Sequence, residues 1–198
     1  MPLNISLIVS AYIIGSLSAA IIVCKVLGLS DPRQSGSNNP GATNVLRLHG
    51  KVPGVLSLAG DLIKGVIPVL VARYAGSPDW VIACCGLAAF LGHLFPVFFN
   101  FKGGKGVATT LGVLLATSWL LGLSFIATWV VVVRISRFSS LGGITAALLT
   151  PVYALSLMND ITYTAGFLIM ALCLVSRHRQ NIQRLLAGTE SKIGEKKE

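Results

Sequence analysis

The chain has 198 residues, of which 54% are hydrophobic and only 12% charged, against about 25% charged in an ordinary soluble domain. That balance argues against a soluble globular domain and against disorder. Sixteen Lys and Arg against seven Asp and Glu give a net charge of +9. Because these cations stand between long apolar runs, they point to orientation in a membrane rather than to nucleic acid.

A bilayer-crossing helix needs about 20 mostly apolar residues. The first predicted span covers residues 3–24, which carry no charge. It opens without a basic leader and lacks an A-x-A exit, so an uncleaved span is expected rather than a signal peptide. The second covers 52–73 and contains Asp61 and Lys64. An ionisable pair inside a membrane is costly and faces inward; three residues apart, the two can pair on one helix face. A structural ion pair is the reading taken, with a polar wall of a site as the alternative. The third span covers 80–101. An uncharged run of 28 residues follows, 106–133. It is either one overlong helix or two short ones turning near 119–122. Two further spans cover 141–159 and 161–176.

The positive-inside rule decides the ambiguous run. With the N-terminus outside, Lys25, Arg33, Arg47, Lys51, Lys102 and Lys105 fall inside, and Arg73 falls outside. Splitting the run into 105–119 and 120–134 also puts Arg134, Arg137 and the basic tail from Arg177 to Lys197 inside. The expectation is therefore an all-α integral membrane protein of seven transmembrane helices, N-terminus extracytoplasmic and C-terminus cytoplasmic. Cys24, Cys84, Cys85 and Cys173 lie in apolar stretches without C-x-x-C spacing, so they read as small buried hydrophobes, not as a disulfide framework or zinc site.

This topology puts three polar stretches on one cytoplasmic side. The first is Ser35-Gly-Ser-Asn-Asn-Pro-Gly-Ala-Thr-Asn-Val-Leu-Arg47. Gly36 and Gly41 relax the backbone, while Ser35, Ser37, Asn38, Asn39, Thr43 and Asn44 supply neutral hydrogen-bonding groups. Exposed N–H groups followed by the Arg47 fork suit a phosphate, although the same residues also make ordinary turns. The second runs from Gly92 to Thr109 and contains Lys102-Gly-Gly-Lys105-Gly. It fails the Walker A pattern, since Gly106 follows Lys105 and Phe99 stands where a glycine is required. Two readings stay open: an anion site at a helix N-terminus, or lysines anchoring a helix at the interface. The third runs from His178 to Glu190, with His178 and Asn181 at helical spacing; a basic helix on anionic lipid is the plainer alternative. A short link, Arg137-Phe-Ser-Ser140, lies on the same side. His93, ahead of Pro96, reads as a hydrogen-bonded structural histidine, and His49 as a loop residue.

These stretches hold many phosphate donors and few acids. No carboxylate cluster awaits magnesium, so metal-dependent phosphoryl transfer has little support. Position five after His49, His93 and His178 holds Gly54, Phe98 and Gln183, which excludes the H-x-x-x-x-D arrangement of thioester-using glycerolipid acyltransferases. Neither a D-G-x-x-A-R run nor a serine nucleophile elbow is present. What remains is catalysis by positioning and charge stabilisation, in which an acceptor hydroxyl attacks an already activated acyl group.

Taken in order, S-G-S-N-N-P-G-A-T-N-V-L-R at 35–47, G-H-L-F-P-V-F-F-N-F-K-G-G-K-G-V-A-T at 92–109 and H-R-Q-N-I-Q-R-L-L-A-G-T-E at 178–190 resemble bacterial membrane acyltransferases of the PlsY type. The Asp61-Leu-Ile-Lys64-Gly65 run resembles that family's second span. The likeness extends over nearly the whole chain. It implies one compact membrane domain over 1–198 in the bacterial inner membrane, with its site at the cytoplasmic face. The implied activity transfers a fatty acyl group from acyl phosphate to the sn-1 hydroxyl of glycerol 3-phosphate. The products are lysophosphatidic acid and phosphate, the first step of bacterial phospholipid synthesis. No metal, organic cofactor, nucleic acid or obligatory protein partner is expected beside the two substrates and the membrane lipids.

The resemblance also implies roles. Ser35, Lys105, His178 and Asn181 would be catalytic. Gly36, Ser37, Asn38, Gly41, Thr43, Asn44, Arg47, Lys102, Gly103, Gly104 and Ser140 would bind substrate. The competing class is a membrane carrier for a phosphate ester or lipid head group. It is disfavoured because no internal repeat is visible and the polar residues gather at one face rather than at mid-membrane.

Overall fold

The computed structural model describes residues 1–194 of the chain; Lys196 and Lys197, the end of the basic tail, lie outside the described residues. Every long element is helical: α1 (Pro2–Gly15), α2 (Ala19–Val26), α3 (Ala42–His49), α4 (Lys51–Tyr74), α5 (Asp79–Leu94), α6 (Val107–Thr117), α7 (Trp119–Ser136), α8 (Ser139–Met158), α9 (Ile161–Arg177) and α10 (Arg179–Leu186). The chain divides into two compact units, Met1–Thr117 and the part from Ser118 onward.

Four segments are long and apolar enough to cross a bilayer: α4, the stretch Asp79–Phe99 that begins with α5, α7 and α8. The pairs α1–α2 and α9–α10 each qualify together, bent by 48° and 58°. Among the described residues the fold is thus all-helical with four to six candidate membrane spans, and α6 is an additional short apolar helix. The ambiguous run does break, at Ser118. The third predicted span is interrupted as well: α5 stops at Leu94, two residues before Pro96, and a 3-10 turn covers Val97–Phe99. A residue preceding proline is driven out of the helical region, and Phe95 has left it, with φ −129° and ψ 64°.

The first predicted span, 3–24, is not one straight helix. The helix breaks at Ser16–Ser18, and the cause lies on α4. The Lys64 ammonium donates to the Leu17 carbonyl at 2.7 Å, just past the end of α1. The Ala19 N–H, at the start of α2, donates to Asp61 Oδ1 at 3.4 Å. Asp61 and Lys64 pair at 2.8 Å, with side chains only 3% and 6% exposed. A cation thus faces a helix C-terminus and an anion a helix N-terminus, each matching the local dipole. Broken backbone inside a membrane requires such internal partners.

In the first unit α4 packs against α1, α2, α3, α5 and α6, and α1 also packs against α5. Small residues set the closest approaches, as in membrane helix pairs generally. A methyl group added to Gly65 would collide with the Thr109 carbonyl on α6, and one on Gly92 would collide with the Tyr12 carbonyl on α1. In the second unit α8 packs against both α7 and α9. Thr128 on α7 and Tyr153 on α8 share a hydroxyl hydrogen bond of 2.8 Å. The Asp160 carboxylate caps α9, accepting from the Thr162 N–H at 2.7 Å and the Tyr163 N–H at 3.3 Å.

Candidate active site

The first polar stretch is a loop folded around one side chain. Asn44, in the first turn of α3, is 3% exposed. Its Nδ2 donates to the carbonyls of Pro32 at 2.8 Å, Ser35 at 3.2 Å and Asn39 at 3.1 Å. Its Oδ1 accepts from the Ser37 N–H at 3.0 Å. An amide side chain offers two donors and one acceptor oxygen, and here the loop engages both ends. Asn44 therefore shapes the loop, rather than simply facing a ligand as the sequence suggested. Gly36 has φ +66°, and a methyl group there would collide with Asn44 Oδ1. The loop leaves Gly36, Asn38 and Thr43 exposed and Ser35, Ser37 and Gly41 half-buried. Arg47, in the last turn of α3, is exposed.

Asp31 and Arg33 pair within the same loop, with Arg33 Nη2 2.6 Å from Asp31 Oδ2 and Nε 3.1 Å from Oδ1. The hydrogen bonds from Arg33 hold the Asp31 carboxyl below its ordinary value despite partial burial. The Arg33 guanidinium lies over the Phe99 ring, 5.9 Å from its centre, and so ties the segment just ahead of the first stretch to the second. A cavity of about 340 Å³ opens there, lined by Lys25, Asp31, Arg33 and Phe99 with Ile21, Cys24 and Leu29. None of the residues predicted to be catalytic or substrate-binding lines it.

The second stretch wraps the end of α5. The Gly104 N–H donates to the His93 carbonyl at 3.2 Å, and the Lys102 N–H donates to the Phe99 carbonyl at 3.1 Å. Gly103 and Gly104 are buried, Lys105 is half-buried and Lys102 exposed. A methyl group on Gly104 would collide with the His93 ring, and one on Gly103 would come within 2.6 Å of Pro96 Cδ. The structure thus gives these glycines a packing reason. The loop delivers Lys105 directly ahead of Gly106 and α6. The first N–H groups of a helix lack internal partners and carry the positive end of its dipole.

In the second unit the predicted Ser140 and Asn181 meet through a third residue. Ser140 Oγ and Asn181 Nδ2 each donate to Glu190 Oε1 at 2.6 Å, and Arg184 Nε donates to Oε2 at 2.7 Å. Burial alone would raise the Glu190 carboxyl. These three donors and the Arg184 charge outweigh it and hold Glu190 below its ordinary 4.5. His178 is 3% exposed and stands where α9 bends into α10. Its Nδ1 lies 2.8 Å from the Leu174 carbonyl. A carbonyl only accepts, so Nδ1 carries hydrogen, and the lone pair of the neutral ring is on Nε2. Glu190 is a residue to which sequence reasoning assigned no role. Its signal was present: it is the sole carboxylate among the donors of that stretch. Among the described residues no group of three or more His, Cys, Asp or Glu side chains is placed to hold a metal ion.

Helices of membrane-spanning length mark an integral membrane protein. The comparisons with known proteins agree. The family model described as glycerol-3-phosphate acyltransferase matches residues 5–188. The glycerol-3-phosphate acyltransferase of Thioalkalivibrio sulfidiphilus is 54% identical over 197 residues, covering 99% of this chain and 97% of that one. Crystal structures of PlsY (YgiH), an integral membrane glycerol 3-phosphate acyltransferase, align over nearly the full chain. The glycerol 3-phosphate form has a TM-score of 0.92 at 39% identity over 96% of each chain. The lysophosphatidic acid form has 0.90 at 38% over 96% and 95%. The chain belongs to the glycerol-3-phosphate acyltransferase family.

Proposed function

We propose that the protein acylates glycerol 3-phosphate at its sn-1 hydroxyl, taking the acyl group from acyl phosphate and releasing lysophosphatidic acid and inorganic phosphate. The observation that carries this reading is the full-length likeness to PlsY crystallised with glycerol 3-phosphate. In the reaction the acceptor oxygen forms a bond to the acyl carbon and the bond from that carbon to the bridging oxygen breaks. Phosphate leaves with the bonding electron pair, and the hydroxyl proton passes to a base. Little acid–base chemistry is needed; holding two anions together and stabilising a departing phosphate are the main tasks.

Within that reading Ser35 and the loop around Asn44 contribute hydroxyl and N–H donors to phosphate. Arg47 offers a planar fork suited to bidentate phosphate binding, and Lys105, with Lys102, adds positive charge ahead of α6. Asn181, held by Glu190, orients the acceptor or the leaving phosphate, and Ser140 adds a donor beside it. The two candidate proton acceptors are Nε2 of His178 and a phosphate oxygen of the substrate. The proposed setting is the bacterial inner membrane, as one domain of seven spans with the N-terminus outside and the site at the cytoplasmic face.

The test is turnover by purified protein given palmitoyl phosphate and glycerol 3-phosphate, without CoA, acyl carrier protein or metal. Lysophosphatidic acid and phosphate formed in equal amounts support the reading. No product from folded protein, together with glycerol 3-phosphate flux across vesicles that contain it, would favour a carrier instead.

A further inference from the structure

The ion pair of α4 reaches further than the helix break. Asp61 Oδ1 also lies 3.5 Å from Nδ1 of His93, and both side chains are nearly fully buried. His93 in turn holds the glycine loop by two means. Its carbonyl accepts the Gly104 N–H at 3.2 Å, and its ring packs where any side chain on Gly104 would sit. The main chain of Asp61 acts on the same region from the other side: its carbonyl accepts from Thr109 Oγ1, in the first turn of α6, at 3.0 Å. Lys105 lies between these two attachments, at Gly104 and at Thr109.

We propose that Asp61 and His93 are positioning residues for the acyl transfer, fixing from within the membrane-spanning part of the fold where Lys105 and the first turn of α6 present their donors. The inference rests on the proposed reaction for its kinetic consequence, but not for its structural one. A buried, paired carboxylate would be an expensive way to secure a helix break alone, because an apolar helix would need no break. Its contact with His93 gives the carboxylate a task that an apolar substitute could not perform, while the Thr109 bond, made by the main chain, would survive the substitution.

The experiment uses the full chain in lipid nanodiscs. His93→Phe keeps the ring volume and removes Nδ1; His93→Asn keeps a donor near the Nδ1 position. Impaired folding reduces the amount of active enzyme and leaves KM alone, whereas a misplaced loop raises KM. Folded His93→Phe is expected to raise KM for glycerol 3-phosphate or palmitoyl phosphate by about tenfold or more, and His93→Asn to restore it to within about threefold of the parent. Both KM values of His93→Phe within about twofold of the parent, or His93→Asn as impaired as His93→Phe, overturn the proposal. Should His93→Phe not accumulate as folded protein, the double variant Asp61→Leu with Lys64→Met decides by the same criteria, since it removes the contact without stranding a charge. Amide hydrogen exchange provides the readout independent of activity. It is expected to quicken at residues 104–110 in His93→Phe and to stay unchanged in α9; unchanged exchange at 104–110 also overturns the proposal. Failure of the parent protein to turn over would count against the reaction, not against the positioning role.

Discussion

Replacing Glu190 by Gln tests how the second unit holds its polar cluster. In the parent, Oε1 accepts from Ser140 and Asn181, Oε2 accepts from Arg184, and the side chain is 7% exposed. A glutamine can turn its one carbonyl oxygen toward Ser140 and Asn181. Its amide NH2 then faces the Arg184 N–H, donor against donor. Hydrogen bonds to a charged acceptor contribute about 1.5–3 kcal/mol against about 0.5–1.5 for neutral ones, so each retained bond weakens by about 1 kcal/mol. Arg184 is 38% exposed and can swing into solvent, which limits its share to less than about 1 kcal/mol. The sum is about 2–3 kcal/mol, or a Tm lower by about 5–10 °C in a chain of this size.

Thermal unfolding can be followed with a thiol-reactive dye, since Cys24, Cys84, Cys85 and Cys173 are free and Cys24 and Cys85 are buried. The sign of the pH effect follows from the depressed carboxyl. Its contribution is full above the ordinary value of 4.5 and is lost as pH falls through the lower folded value. The gap between parent and Glu190→Gln is therefore open at neutral pH and closes in acid. A gap below about 1 °C at neutral pH, or one that persists unchanged at about pH 2, would refute the reasoning.

Asn44→Ala leaves three carbonyls and one N–H of the first loop without their partner. It should cost about 3 kcal/mol of local stability and raise KM, as read by unfolding and kinetics. Arg47→Ala is expected to raise KM for glycerol 3-phosphate by about 10–100-fold with kcat held; an unchanged KM with collapsed kcat contradicts the phosphate-binding role. Gly104→Ala should give a folded enzyme of low activity, because the new methyl group meets the His93 ring. His178→Ala should lower kcat by about 100-fold or more if Nε2 takes the proton, and full activity would assign that task to a substrate phosphate.

Helix positions were legible where the local signal was strong. Charged residues at 134 and 137 and the Asn159-Asp160 pair mark ends that the structure also shows, whereas the third predicted span ran past the break at Pro96. The split of the long apolar run followed from charge parity, although its break came at Ser118 rather than in the 119–122 turn. The break at Ser16–Ser18 was not legible, because nothing in Gly15-Ser16-Leu17-Ser18 forbids a helix in lipid. Its cause is on another helix, at Asp61 and Lys64. Residue types in the polar stretches were readable, but their division of labour was not. Asn44 shapes its loop, Gly103 and Gly104 make room for α5, and Glu190 gathers Ser140 and Asn181. Each role depends on contacts between residues distant in sequence, which spacing within one motif cannot reveal.

The central claim is that the chain performs acyl transfer to glycerol 3-phosphate, and palmitoyl phosphate labelled with oxygen-18 at its bridging oxygen tests it most directly. Attack at the acyl carbon sends the label into inorganic phosphate, with unlabelled lysophosphatidic acid as the other product. Label retained in palmitate would show attack at phosphorus, and that result, or the absence of lysophosphatidic acid from active, folded preparations, would contradict the account.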